Sequence, residues 1–281
     1  MKLSIVTINY NNVEGLKRTL ASVAEQGYRD IEHIIIDGGS TDGSVDIIRE
    51  YAEDQTSNIK HQTSHIVKWV SEKDSGIYNA MNKGIRKANG AYVQILNSGD
   101  IFAAPDVVER MVAEIEKIEY PELLYGNMIK KDYATGKIVG KSGNVNCTML
   151  NFFTGTLNHD CCYIRRNLFD LYGLYDESLK IVSDWKWFLQ TIGLGKVKPV
   201  YADIDVTIFD CSGISETNLE LRNKERRQVL KEILPPAVLA DYDAHAFEIE
   251  QMNRLRRRHL YGLVYFIERV LFKFEKWLKL H

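Results

Sequence analysis

Leu3-Ser4-Ile5-Val6-Thr7-Ile8, followed by Asn9-Tyr10-Asn11-Asn12, decides the fold. A β-branched apolar run stops at a polar cluster, and residues 13–26 then carry Val13, Leu16, Leu20 and Val23 at helical spacing. The unit reads strand, loop, helix. It recurs as a strand at 31–36 and a helix at 45–52, a strand at 65–71 and a helix at 77–88, and a strand at 91–96 and a helix at 107–118. Four β-to-α units in succession predict an α/β fold, a mainly parallel sheet flanked by helices on both faces. In such a sheet ligands bind at the carboxyl ends of the strands, so the loops there are where chemistry is expected.

Beyond residue 120 the pattern is mixed, with strand candidates at 123–128, 161–164, 197–201 and 205–209 and a helix at 184–192. From about residue 216 the chain reads as helical, broken at Pro235-Pro236. The expected division is a domain over 1–215, with halves 1–100 and 101–215, and a helical extension over 216–281.

Lys and Arg number 36 against 38 Asp and Glu, a net charge of −2 that argues against a nucleic-acid-coating role. Residues 252–281 alone hold eight Lys and Arg against two Glu, which sets a basic tail of +6 on a body of −8. Cys147, Cys161, Cys162 and Cys211 form no CxxC pair and read as buried free thiols rather than a zinc site. The first apolar run is too short for a secretory signal, and no run reaches the roughly 18 apolar residues of a membrane span. A cytoplasmic location is expected.

The strand-end loops are Thr7-Ile8-Asn9-Tyr10, Asp37-Gly38-Gly39-Ser40-Thr41-Asp42-Gly43, Glu72-Lys73-Asp74-Ser75-Gly76 and Asn97-Ser98-Gly99-Asp100. Taken singly, each is explained by a turn and a helix N-cap. Asp100, at a tight turn after an apolar strand, is also suited to hold a hard cation on a diphosphate.

Together with Ser75-Gly76-Ile77-Tyr78-Asn79-Ala80-Met81-Asn82-Lys83-Gly84, Asn158-His159-Asp160 and Val182-Ser183-Asp184-Trp185, these loops resemble the inverting glycosyltransferases of family 2, which have the GT-A fold. The resemblance covers about residues 1–215. It implies a nucleotide-diphosphate sugar donor, UDP- or GDP-linked, and a saccharide acceptor, lipid-linked in surface-polysaccharide pathways. By that resemblance Thr7, Asn9 and Tyr10 line the nucleotide, Asp37 hydrogen-bonds the base and Asp74 contacts the donor. Gly38, Gly76, Asn79 and Lys83 lie in the same donor-binding stretches.

Asp100 is implied as the ligand of Mg2+ or Mn2+, with Asn97 and Gly99 standing where the motif often has further acids. Asp184 falls where the family places its general base, although an acid at a helix start is equally accounted for by the helix dipole. His159 is implied near the acceptor or the phosphates, with a structural hydrogen-bonded role as the alternative. Ser212 and Gly213 lie in a loop that resembles the family's mobile loop.

Leu260, Leu263, Val264, Ile267, Val270, Leu271, Phe274, Trp277 and Leu278 recur at helical spacing. They are flanked by Arg254, Arg256, Arg257, Arg258, Arg269, Lys273, Lys276 and Lys279. A basic amphipathic helix of this kind suits an anionic membrane surface, here the inner face of the cell membrane, or docking on protein. The alternative function is a catalytically inactive module that binds nucleotide sugar or recruits a partner, suggested by the reduced metal motif. A nucleotidyltransferase is disfavoured because no Gly-rich phosphate loop with a basic residue follows the first strand.

Overall fold

The computed structural model describes residues 1–57, 65–256 and 261–278. The expected repeat forms as β1 (Leu3–Asn9), α1 (Val13–Ala24), β2 (Ile31–Asp37), α2 (Ser44–Ser57), β3 (Ile66–Ser71), α3 (Ile77–Lys87) and β4 (Tyr92–Ile95). Then come β5 (Ile101–Phe102), α4 (Val107–Lys117), β6 (Leu123–Asp132), β7 (Lys137–Ser142), α5 (Met149–Thr154) and a single 3-10 turn at His159–Cys161. β8 (Cys162–Arg165) and α6 (Asn167–Tyr172) lead to α7 (Ser183–Phe188), which runs into a π-helical turn at Leu189–Gly193. β9 (Pro199–Asp210), α8 (Ile214–Thr217) and α9 (Leu219–Ile233) follow.

Among the described residues the strands form one sheet in the order β3-β2-β1-β4-β8-β6-β9-β5, with β7 paired to the outer half of β6. β3, β2, β1 and β4 are parallel, β8 is antiparallel between β4 and β6, and β9 returns parallel to β6. The chain winds outward from β1 to β3 and then crosses back to place β4 on the other side of β1. That reversal creates a crevice between the carboxyl ends of β1 and β4, the position where an open α/β sheet binds ligands.

Alternation along β1 assigns the layers. Leu3 and Ile5 pack with Val23 of α1 and with Val108, Met111 and Val112 of α4. On β2, Ile35 packs with Leu16 and Leu20 of α1 and Ile48 of α2. Val6 points to the opposite face, where Gly84 lets α3 come so close that a Cβ there would lie 2.2 Å from Val6 Cγ1.

The second half differs from expectation in detail. The strands expected at 197–201 and 205–209 are one strand, β9, whose pairing with β6 shifts register around Asn127 instead of breaking. At the shift Gly126 lies against β9, where a Cβ would meet Ile204 O at 2.5 Å. The helix expected at 184–192 divides into α7 and the π turn. β7, α5 and α6 were not anticipated, being elements of only six residues each.

The chain divides into two compact units, Met1–Val229 and Leu230–His281. The second contains the end of α9, α10 (Pro236–Arg256) and α11 (Tyr261–Leu278). α10 starts on a proline, whose missing N–H costs nothing in the first turn. α11 exposes Leu263, Val264, Phe266, Ile267, Val270, Leu271 and Phe274. Of the expected tail, Arg257, Arg258, Leu260 and Lys279 lie outside the described residues, as do the side chains of Trp277 and Leu278. Among the described residues no helix is long and apolar enough to cross a membrane.

Candidate active site

A cleft of about 820 Å³ opens where β1 and β4 end, with walls from the loops after β3 and β9, from α7 and from the first turns of α9. Its base is organised by Asp37, a buried carboxylate that takes five hydrogen bonds. Oδ1 accepts from Asn9 Nδ2 (2.8 Å) and Ser40 Oγ (2.6 Å). Oδ2 accepts from Gly39 N (3.1 Å), Ser40 N (2.9 Å) and Ser71 Oγ (2.7 Å). Burial raises the Asp37 pKa, but these donors outweigh it and hold the carboxyl below the usual range. The loops after β1, β2 and β3 are thereby tied to one group. Asp37 itself stands behind the cleft wall.

Tyr10, Gly38, Asp74 and Gly76 line the cleft. A Cβ on Gly38 would lie 2.7 Å from Asp74 Oδ2 and 3.1 Å from Tyr10 Cδ2, so the glycine keeps the recess between those side chains open. Asn9 also borders the cleft, its Oδ1 buried without a partner.

Besides Asp37, three expected donor residues do not reach it. Thr7 is fully buried in β1 and bonds His33 Nε2 (2.9 Å), because its position in the strand alternation points it at the α1–α2 layer. Asn79 donates to Glu177 Oε2 (2.7 Å), and Lys83 pairs with Glu72 Oε1 (2.8 Å). Both sit on the part of α3 that braces neighbouring loops.

The Asn97–Asp100 turn is fastened to α1 through Thr19, whose Oγ1 donates to Asp100 O (2.7 Å) and accepts from Gly99 N (2.9 Å). Gly99 has φ +110, a backbone state that a side chain would strain. Asp100 is 3% exposed; Oδ1 accepts from Asp210 N (2.9 Å), and Oδ2 has no hydrogen bond among the described residues. Burial, with Asp160 and Asp210 adding negative charge, pushes its pKa well above the carboxylate range despite that hydrogen bond and His159. A carboxyl in this condition is stabilised as an anion by a cation at its free oxygen, so the residue fits a divalent ion. Among the described residues no three His, Cys, Asp or Glu side chains are grouped to hold a metal unaided. The donor set therefore suits an ion that takes one or two carboxylates and completes its shell with phosphate and water.

Asp184, in the first turn of α7, is held at both oxygens. Tyr78 OH donates to Oδ1 (2.8 Å), and His159 Nδ1 lies 3.0 Å from Oδ2. His159 Nε2 is 3.2 Å from the Asn97 amide nitrogen. Burial disfavours the imidazolium, but the hydrogen bond and charge of Asp184, aided by Asp160 and Asp100, raise the His159 pKa to about 9. For Asp184 burial acts upward and is outweighed by His159 and Tyr78, so the carboxyl stays ionised at neutral pH. A protonated His159 donates from both nitrogens, which requires an acceptor at Nε2. Asn97 Oδ1 is buried without a partner, and rotating that amide by half a turn supplies it.

Ser212 and Gly213 line the cleft, Ser212 N donating to Asp210 Oδ1 (3.0 Å), while Asp210 Oδ2 pairs with Arg18 (2.9 Å). Sequence reasoning had not singled out Tyr78, Asp160, Asp210, Lys180, Arg222 or Arg226, all of which line the cleft. Tyr78 and Asp160 lay within quoted motifs. The two arginines sit in a run of charges that looks like an ordinary solvated helix face.

The glycosyl transferase family 2 model matches residues 4–170. An uncharacterized glycosyltransferase of Mycobacterium tuberculosis is 29% identical over 266 residues, covering 92% of this chain and 86% of the relative. A PGL/p-HBAD biosynthesis glycosyltransferase of Mycobacterium bovis is 27% identical over 216 residues, covering 76% of this chain and 79% of its own. Among solved structures, S. aureus TarS 1–349 with UDP-GlcNAc matches with TM-score 0.60 at 18% identity, covering 83% of this chain and 65% of that one. The mannosyltransferase PcManGT of Pyrobaculum calidifontis, with GDP-Man and Mn2+, matches with TM-score 0.59 at 15% identity, covering 93% and 82%. At these identities the structures speak for the GT-A fold, while the family model and the two relatives speak for glycosyltransferase activity. The chain belongs to glycosyltransferase family 2.

Proposed function

We propose that the chain transfers a sugar from a nucleotide-diphosphate donor, UDP- or GDP-linked, to a saccharide hydroxyl with inversion. The observation that carries this reading is Asp184, an ionised carboxylate in the cleft held by Tyr78 and His159, in the same cleft as the buried carboxyl of Asp100. With Tyr78, His159 and the Trp185 backbone N–H as donors, the Asp184 carboxylate keeps one lone-pair position free. It takes the acceptor hydroxyl's proton as the hydroxyl oxygen attacks the anomeric carbon, help typically worth about 10²–10⁴ in rate. His159 and Tyr78 fix the carboxylate's orientation. Mg2+ or Mn2+ at Asp100 would neutralise charge on the departing diphosphate, and the Mn2+ in one structural neighbour supports that choice. Tyr10, Gly38 and Asp74 form the recess for the nucleoside end.

The acceptor belongs to surface-polysaccharide synthesis and is lipid-linked, a reading supported by α11, whose exposed apolar residues alternate with Arg269, Lys273 and Lys276. The enzyme then works at the cytoplasmic face of an anionic membrane. A thermal-shift panel of nucleoside diphosphates and nucleotide sugars, with and without Mn2+, tests the donor. A specific ligand at about 100 times its Kd adds about 2.7 kcal/mol of stability. Donor hydrolysis in the absence of acceptor then separates an enzyme from a binding module, and no stabilisation by any nucleotide contradicts the reading.

A further inference from the structure

The cleft has a second electrostatic pole. The charges that act on Asp100 include Asp160, His159 and Asp210, whereas those that act on Arg226 are Arg222 and Asp184. The Arg226 guanidinium lies 4.9 Å over the ring of Trp185, the residue after Asp184, and is thereby fixed beside the base. Its Nε is buried with no hydrogen-bond partner, and neither Arg226 nor Lys180 is ion-paired with a carboxylate among the described residues.

The arrangement is built. Buried Glu225 accepts from the backbone N–H of Lys180 (2.8 Å) and Ile181 (2.9 Å), which locks α9 to the loop before α7. One helical turn then presents Arg222 and Arg226 together on the cleft side. Like charges at this spacing destabilise a helix, and burial lowers the Arg226 pKa only to about 10, so the charge persists at neutral pH. An anion beside Arg226 would relieve the cost of burying its charge.

We propose that Arg226, Arg222 and Lys180 form an anion subsite for the acceptor, so that the sugar unit presenting its hydroxyl to Asp184 carries a carboxylate or a phosphate ester. The inference rests on Asp184 being the transferase base. In an inverting displacement the base and the leaving group occupy opposite faces of the transferred sugar, so cations grouped with the base meet the acceptor rather than the donor diphosphate. Arginine also suits planar, paired recognition of carboxylate or phosphate oxygens.

The test uses the full chain saturated with a nucleoside diphosphate that raises its Tm. Methyl β-D-glucuronide, methyl β-D-glucoside 6-phosphate and neutral methyl β-D-glucoside are titrated by calorimetry. The charged probes are expected to bind about tenfold or more tighter than the neutral one, and the tighter of the two tells a uronate acceptor from a phosphorylated one. Arg226→Met should abolish the preference, Arg226→Lys should keep part of it, and both should leave the nucleoside diphosphate Kd within about twofold, a pattern that loss of packing alone would not give. Equal binding of all three probes, or no binding, overturns the subsite. Loss of nucleoside diphosphate affinity in Arg226→Met reassigns the cations to the donor and overturns it too. If no nucleoside diphosphate raises the Tm, the transferase reading itself falls, and the subsite with it.

Discussion

His159 Nδ1 and Asp184 Oδ2 lie 3.0 Å apart in the wall of the cleft, joining the 3-10 turn before β8 to the first turn of α7. The pair sets a pH dependence whose sign follows from the two pKa values. His159 is raised from 6.5 to about 9 by Asp184, Asp160 and Asp100 against the effect of burial, so its contribution to stability is complete below pH 6.5 and disappears as pH rises through about 9. Asp184 is lowered, so its contribution is present above the ordinary carboxylate range and disappears in acid. Thermal unfolding from pH 6 to 10 should show an alkaline loss of the order of 3 kcal/mol. His159→Gln should flatten it, and an unchanged alkaline limb in that variant would contradict the pairing.

Cation binding should depend on the donor. With one carboxyl oxygen free at Asp100, Mn2+ alone should bind weakly, and a nucleoside diphosphate should tighten it by about 5- to 150-fold. By reciprocity Mn2+ tightens the nucleotide by the same factor. Asp100→Asn should remove the coupling. Equal Mn2+ affinity with and without nucleotide, measured by calorimetry, would speak against Asp100 as the ligand.

Gly84→Ala tests the α3–β1 contact. Alanine favours a helix over glycine by about 1 kcal/mol, but the added methyl would lie 2.2 Å from Val6 Cγ1 in the core. Overpacking costs about 1–3 kcal/mol, so the variant should be the less stable in urea unfolding. A gain in stability would mean that the two elements pack less tightly than described.

For α11, the full chain should sediment with vesicles rich in anionic lipid and much less with neutral ones. Replacing Arg269, Lys273 and Lys276 together by Glu should abolish the difference, since each basic residue near such a surface is worth about 1 kcal/mol. Unchanged sedimentation would leave the helix to a protein partner.

The β-to-α repeat was legible because β1, β2 and β4 are buried on both faces, the edge strand β3 keeps the same β-branched and aromatic character, and the helices between them are amphipathic. β9 was misread as two strands because the register shift around Asn127 lies in the pairing, not in the residues' own character. Asp184, Asp100, Asp74 and Tyr10 were legible as cleft-lining residues because they sit in the motifs at the strand ends and the start of α7. Thr7 sits one step of strand alternation away from the cleft, which turns its hydroxyl to His33. Asn97 looked like a missing metal ligand, whereas its amide meets His159 at 3.2 Å. Arg226 was invisible as a site residue because its setting depends on Glu225 folding α9 against the loop at Lys180.

The central claim is that Asp184 is the base of a nucleotide-sugar transferase, and Asp184→Asn tests it most directly because the amide keeps the shape and loses the proton acceptor. Sugar transfer and donor Kd should be measured side by side on the full chain. The account predicts a fall in turnover of about 10²–10⁴ with donor Kd unchanged. Retained turnover, or loss of donor binding together with turnover, would contradict it.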